Sequence, residues 1–124
     1  MAESKLRDLS MDFSVEILRI CDGIKGHSSI VNQLERSATS IGANIHEANY
    51  AQSKADFVAK LQIAFKECYE TEYWLELLFE TEYITKQQYD DIIKDCKELC
   101  KILTASSKTL AEREQNSSNE NDPI

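Results

Sequence analysis

From Met1 to Asp122 the chain has no proline, and its only glycines are Gly23, Gly26 and Gly42. These two residue types stop helices and make tight turns, so a chain of 124 residues that nearly lacks them is poorly supplied for a β fold. Its body can be helical almost throughout.

The apolar residues agree. Four segments carry them at alternating steps of three and four: Leu6, Phe13, Ile17, Ile20 and Ile24, then Val31, Leu34, Ala38, Ile41, Ile45 and Ala48. The third has Phe57, Leu61, Ala64, Cys68, Thr71, Leu75 and Leu78, and the fourth Tyr89, Ile92, Cys96, Leu99, Leu103 and Leu110. Such steps keep each set on one helical face, whereas a strand alternates every second residue. Gly23 and Gly26 bracket the first break, with Ser28 or Ser29 as the cap of the second helix. Ser53 precedes Asp56 by three residues, and Thr85 with Gln88 has capping-box spacing. Short links force antiparallel neighbours, so the expected fold is all-α, an up-down-up-down antiparallel four-helix bundle over residues 1–112. Residues 113–124 lack an apolar face and read as a disordered polar C-terminal tail.

The third helix carries more apolar surface than one core needs. A second stripe, Ile63, Glu67, Glu70, Trp74 and Leu77, runs beside the first, and Val58, Phe65, Tyr69 and Phe79 extend a third. A helix apolar on most faces must be covered on most faces, and another copy of the chain is the simplest cover.

Several activities are disfavoured. A net charge of −8 opposes a general nucleic-acid surface, which needs clustered Lys and Arg. The N-terminus lacks the apolar run of a signal peptide or membrane anchor, so a cytoplasmic protein with no membrane association is expected. A carboxylate-bridged di-metal bundle needs Glu-x-x-His pairs, but Ile24 and Ala43 stand three residues before His27 and His46. Cys96 and Cys100 share a helical face and could join Cys68 or His46 around zinc; thiols on an apolar stripe more commonly serve as packing. With no nucleophile turn and no phosphate-binding glycine loop, the reading is no enzyme, no cofactor and no metal.

Two polar features remain. Between Glu67 and Thr85 lie Glu67, Glu70, Glu72, Glu76, Glu80 and Glu82 without one Lys or Arg. Glu72, Glu76 and Glu80 stack near a helix C-terminus, where mutual repulsion and the helix dipole both oppose them. Lys94, Lys97, Lys101 and Lys108 on the fourth helix are the candidates to neutralise them. The second feature is the stripe Gln33, Ser37, Ser40, Asn44, Glu47, Ala51. Its polar members, Asn44 and Glu47 above all, are read as fixing helix register and assembly, with His46 exposed on the other flank.

The run "ATSIGANIHEANYAQSKADFVAKLQIAFKECYETEYWLELLFETEYIT", Ala38 to Thr85, resembles the 23S rRNA intervening-sequence proteins. Arg36, Ala38, Ser40-Ile41, Asn44-Ile45, Glu47, Ser53, Phe57, Ile63-Ala64, Glu67, Glu70 and Leu75 match the family pattern in order. Ser37 separates Arg36 from Ala38, and Ala48 stands where the pattern has glycine. The resemblance implies a homo-oligomeric ring, usually a pentamer, and kinship with the basic accessory proteins that assist the reverse transcriptase of diversity-generating retroelements. The acidity of this chain opposes the nucleic-acid half of that kinship. Sequence therefore points first to a self-assembling scaffold or partner-binding module, with Asn44, Glu47, Glu67, Glu70, Trp74, Glu72, Glu76 and Glu80 as the candidates for assembly or partner binding. The alternative is a nucleic-acid or ribosome-associated accessory factor.

Overall fold

The computed structural model describes the backbone of residues 2–121 and the side chains of residues 5–106. Four helices account for nearly all of it: α1 (Ala2–Asp22), α2 (Ser28–Ala48), α3 (Lys54–Glu80) and α4 (Lys86–Asn121). There is no strand among the described residues. The backbone of α4 is helical beyond residue 112. The side chains of the tail, with Leu110 and Lys108, lie outside the described residues. No helix among them is long and apolar enough to cross a membrane.

Each helix packs on its neighbours in sequence and α4 returns to α1, while among the described residues the backbones of α1 and α3, and of α2 and α4, do not approach closely. The four therefore stand at the corners of a square. The seams read from the period line its centre: Phe13, Ile17, Leu34, Ile41, Leu75, Leu78, Leu99 and Leu103 are fully buried. Ile20, Ile24, Phe57 and Tyr89 are half-buried and pack against this core.

The helix ends follow local chemistry with one exception. Ser53 accepts from the Asp56 amide at 3.1 Å. Thr85 and Gln88 form a reciprocal box, the Gln88 amide donating to Thr85 Oγ1 at 3.1 Å and the Thr85 amide to Gln88 Oε1 at 2.8 Å. The exception is α2, which neither Ser28 nor Ser29 caps. The N-cap is His27, left-handed at φ 48° and without a side-chain cap bond, following Gly26 at φ 93°. Two consecutive left-handed residues turn the chain there, and Ser28 is already inside the helix. At the other end of α3, Glu82 is left-handed at φ 65°. The Tyr83 amide reaches back to the Leu78 carbonyl at 2.9 Å and that of Glu82 to Phe79 at 3.0 Å, a Schellman closure in which glycine is the usual residue.

Candidate functional site

On the open side of the α2–α3 seam, Arg36 gathers the two glutamates of the second stripe. Its Nη1 lies 3.4 Å from Glu67 Oε2, and its Nη2 donates to Glu70 Oε1. Trp74 Nε1 donates to the same Glu70 oxygen at 3.1 Å. Glu67, Glu70 and Trp74 succeed one another at helical steps of three and four, which is why they share one face. One turn away, Ile63 is 42% exposed, and Tyr69 and Tyr73 on the outer side of α3 are 56% and 58% exposed. Tyr73 and Trp74 meet edge to face, with centroids 5.0 Å apart. The result is a polar clamp beside exposed aromatic surface.

The two carboxylates are not equivalent. Burial pushes the Glu67 carboxyl above its ordinary value despite the Arg36 charge. The hydrogen bonds from Arg36 and Trp74 hold Glu70 below its own. Arg36 is held fully charged by Glu70. A guanidinium committed to two carboxylates is a geometric fastener between helices rather than a group free to act on a substrate.

Asn44 and Glu47 are placed differently from the buried polar pair read from the sequence. Asn44 is half-buried, and its Nδ2 turns back along its own helix to the Ser40 carbonyl at 2.8 Å. Glu47 is exposed and pairs across to Lys60 at 3.0 Å. The buried polar link between α2 and α3 lies elsewhere on the same stripe. Ser37 and Thr71, both fully buried, share a hydroxyl hydrogen bond of 3.0 Å. The signal for it was present, since Ser37 belongs to the polar stripe and Thr71 to the seam of α3, but pairing them requires the helix register.

The acidic face is open. Glu76 and Glu80 are exposed and Glu72 is half-buried, and among the described residues no cation lies within ion-pair distance of any of them. Lys94, Lys97 and Lys101 are exposed and form no ion pair among the described residues. The charge of the three glutamates reaches Tyr89, whose hydroxyl burial and these neighbours push upward, while its ring stacks on Phe79 at 4.5 Å.

The thiols are all buried and unpaired by disulfides. Cys21 stands apart, its thiol pushed up to about 12 by burial, Glu35 and Asp22. Cys68, Cys96 and Cys100 converge between α3 and α4 with Glu72. His46 is not with them; it packs on Tyr50 at 5.4 Å and lines an apolar groove of about 520 Å³ between α1 and α2 with Met11, Ser14 and Gly42.

A family model described as 23S rRNA-intervening sequence protein matches residues 2–105. A crystal structure of a protein of unknown function from the S23 ribosomal protein family of Bacteroides thetaiotaomicron is similar, with a TM-score of 0.82 and 47% identity. That similarity covers 87% of this chain and 99% of the other. No curated protein matches.

Proposed function

The chain belongs to the 23S rRNA-intervening sequence protein family, and from that premise we propose that it is a non-enzymatic, cytoplasmic scaffold whose copies join into a ring and present a surface to a protein partner. Residues 1–112 form the bundle and residues 113–124 a polar tail. The helices run alternately up and down. Cross-helix pairs support this: Arg36 reaches Glu70 and Glu47 reaches Lys60, so numbers fall on α3 as they rise on α2. Ser14 near Gly42 and Phe79 on Tyr89 fit the same alternation for the other chain neighbours. Four reduced thiols suit a reducing compartment.

The observation that carries the assembly reading is the presence of two separate apolar strips on helices at opposite corners of the bundle. On α1, Met11, Val15 and Leu18 are 63%, 38% and 44% exposed and lie at steps of four and three, hence on one face. On α3, Ile63, Tyr69 and Tyr73 are open beside the Arg36 clamp. Two unlike patches on one chain favour a heterologous contact, patch to unlike patch, and a heterologous contact that closes on itself makes a ring. The resemblance to the family suggests five copies. Glu67, Glu70 and Trp74, held by Arg36, form the polar border of one contact, with Asn44 and Glu47 farther along α2. The Glu72, Glu76, Glu80 face, without an ion pair among the described residues, remains for a basic partner, chiefly through the exposed Glu76 and Glu80.

Two variants test this reading. Met11→Glu with Leu18→Glu blocks the α1 strip, and Tyr69→Glu with Tyr73→Glu blocks the α3 strip. Each alone should be monomeric, and the two mixed should form a one-to-one dimer through the remaining pair of intact strips. A self-complementary contact would give no such dimer on mixing, and an unchanged assembly in either variant would remove the strip from the interface.

A further inference from the structure

Cys68 and Glu72 lie four residues apart on α3, and Cys96 and Cys100 four apart on α4. Each pair therefore occupies one helical face, and the packing of α3 on α4 turns the two faces toward each other. The donor atoms of Glu72, Cys96 and Cys100 all lie within 4.8 Å of one another. Cys100 Sγ is 3.8 Å from Glu72 Oε1. Beneath them, the Cys96 thiol donates to the backbone carbonyl of the buried Cys68 at 3.6 Å. Cys68 and Cys96 are fully buried while Cys100 retains 8% exposure, so the cluster opens to solvent on the side of Cys100 and the half-buried Glu72.

Packing alone accounts for the thiols but not for the carboxylate. Glu72 is half-buried, and its one hydrogen-bond partner among the described residues is the weak Cys100 thiol. Lys97 influences it only from beyond ion-pair distance. A half-buried carboxylate set beside two thiols, with no cation at ion-pair distance among the described residues, is a set of donors without their natural counter-charge. Tetrahedral zinc, with Zn–S of about 2.3 Å and Zn–O of about 2.0–2.2 Å, places neighbouring ligand atoms roughly 3.5–3.8 Å apart. The Cys100–Glu72 separation already falls at that spacing, and the remaining donors need to close by about 1 Å at most.

We propose that Glu72, Cys96 and Cys100, with Cys68 at the floor of the cluster, bind a soft divalent transition metal of the Zn2+ class and so clip α3 to α4. On binding, the two coordinating thiols release their protons to solvent and their thiolates bond the metal. Glu72 supplies the third ligand through a carboxylate oxygen. Thiolate donors select this class over hard cations such as Mg2+ and Ca2+. Because both helices contribute, the metal stabilises the folded chain over the unfolded one.

The test uses the reduced full-length protein, purified without a metal-affinity tag and titrated with Zn2+ or Co2+. The expected result is one equivalent per chain retained through gel filtration, tetrahedral cobalt–thiolate absorption, and a rise in melting temperature. Cys96→Ser with Cys100→Ser should lose the equivalent. Glu72→Gln lies at the mouth of the site and leaves the core thiols in place, so it should keep its helical circular dichroism and bind more weakly. The proposal is overturned if the wild type retains no stoichiometric metal from micromolar solution. Retention by the double serine variant, or binding unchanged in Glu72→Gln, would overturn it equally.

Discussion

Removing the hydroxyl of Ser37 should be felt more than removing the carboxylate of Glu47, although Glu47 is the more conspicuous residue in the sequence. Ser37 and Thr71 are fully buried and share a hydrogen bond of 3.0 Å between α2 and α3. Each also has a second partner in its own helix: Thr71 Oγ1 lies 2.7 Å from the Glu67 carbonyl and Ser37 Oγ 3.3 Å from that of Leu34. Neither Ser37→Ala nor Thr71→Val leaves a hydroxyl wholly unpartnered. Each should therefore cost about 1 kcal/mol, the net worth of one internal hydrogen bond, rather than the larger penalty of an orphaned group. The double variant removes both hydroxyls and should cost no more than about 1 kcal/mol, giving a coupling energy of about 1 kcal/mol between the sites. Glu47→Ala breaks an ion pair whose glutamate side chain is 56% exposed, so solvent screening should leave its cost below that of Ser37→Ala. Urea unfolding at one fixed chain concentration measures all four, because an assembling chain has a stability that depends on concentration. Additive single variants would refute the buried link. A Glu47→Ala cost well above Ser37→Ala would restore Glu47 as the register determinant.

The clamp makes opposite predictions for its two glutamates. Glu70 is held below its ordinary pKa by Arg36 and Trp74, so its stabilisation is present above the unfolded carboxylate pKa and lost as pH falls through the folded one. Glu70→Gln should destabilise at neutral pH, and unfolding at about pH 4 should show less difference. Glu67 is raised by burial, so its charge is a penalty above its folded pKa that disappears below the unfolded value. Glu67→Gln should be neutral or stabilising at pH 7, with both effects under about 1 kcal/mol given the half-exposed Arg36. Glu82→Gly relieves a left-handed glutamate at φ 65° and removes a negative charge beside the acidic end of α3. It should raise stability by about 1 kcal/mol, and a loss measured by thermal unfolding would count against the helix end described. RNA and DNA titrated at about 50 and 200 mM salt should bind weakly, as a net charge of −8 requires. Submicromolar binding with a steep salt slope, abolished by Lys97→Glu with Lys101→Glu, would favour the accessory-factor alternative.

What the sequence made legible was whatever depends on one helix at a time. Apolar period alone located the buried faces from Leu34 to Leu103, and spacing alone located the Ser53 cap and the Thr85–Gln88 box. The α2 cap failed because the turn at Gly26 and His27 uses backbone handedness, to which Gly26 is a clue and His27 is not. Asn44 shows another limit of single-helix reading: its carboxamide donates to the Ser40 carbonyl four residues back, a partner that polar spacing does not reveal. The associations that carry the candidate sites pair residues 28 to 34 positions apart, as in Cys68 with Cys96 and Ser37 with Thr71. Their meeting depends on the register that short links impose between helices, and periodicity within one helix contains no information about that register.

The mass of the native assembly tests the central claim most directly. Native mass spectrometry or light scattering after gel filtration, on the wild-type chain at micromolar concentration, should give one defined species at a small whole-number multiple of 14.2 kDa, with five copies expected from the family resemblance. Dilution should yield no even-numbered ladder of self-complementary dimers. A single species at 14.2 kDa would contradict the account, because the strips on α1 and α3 would then be exposed surface without a partner of their own kind.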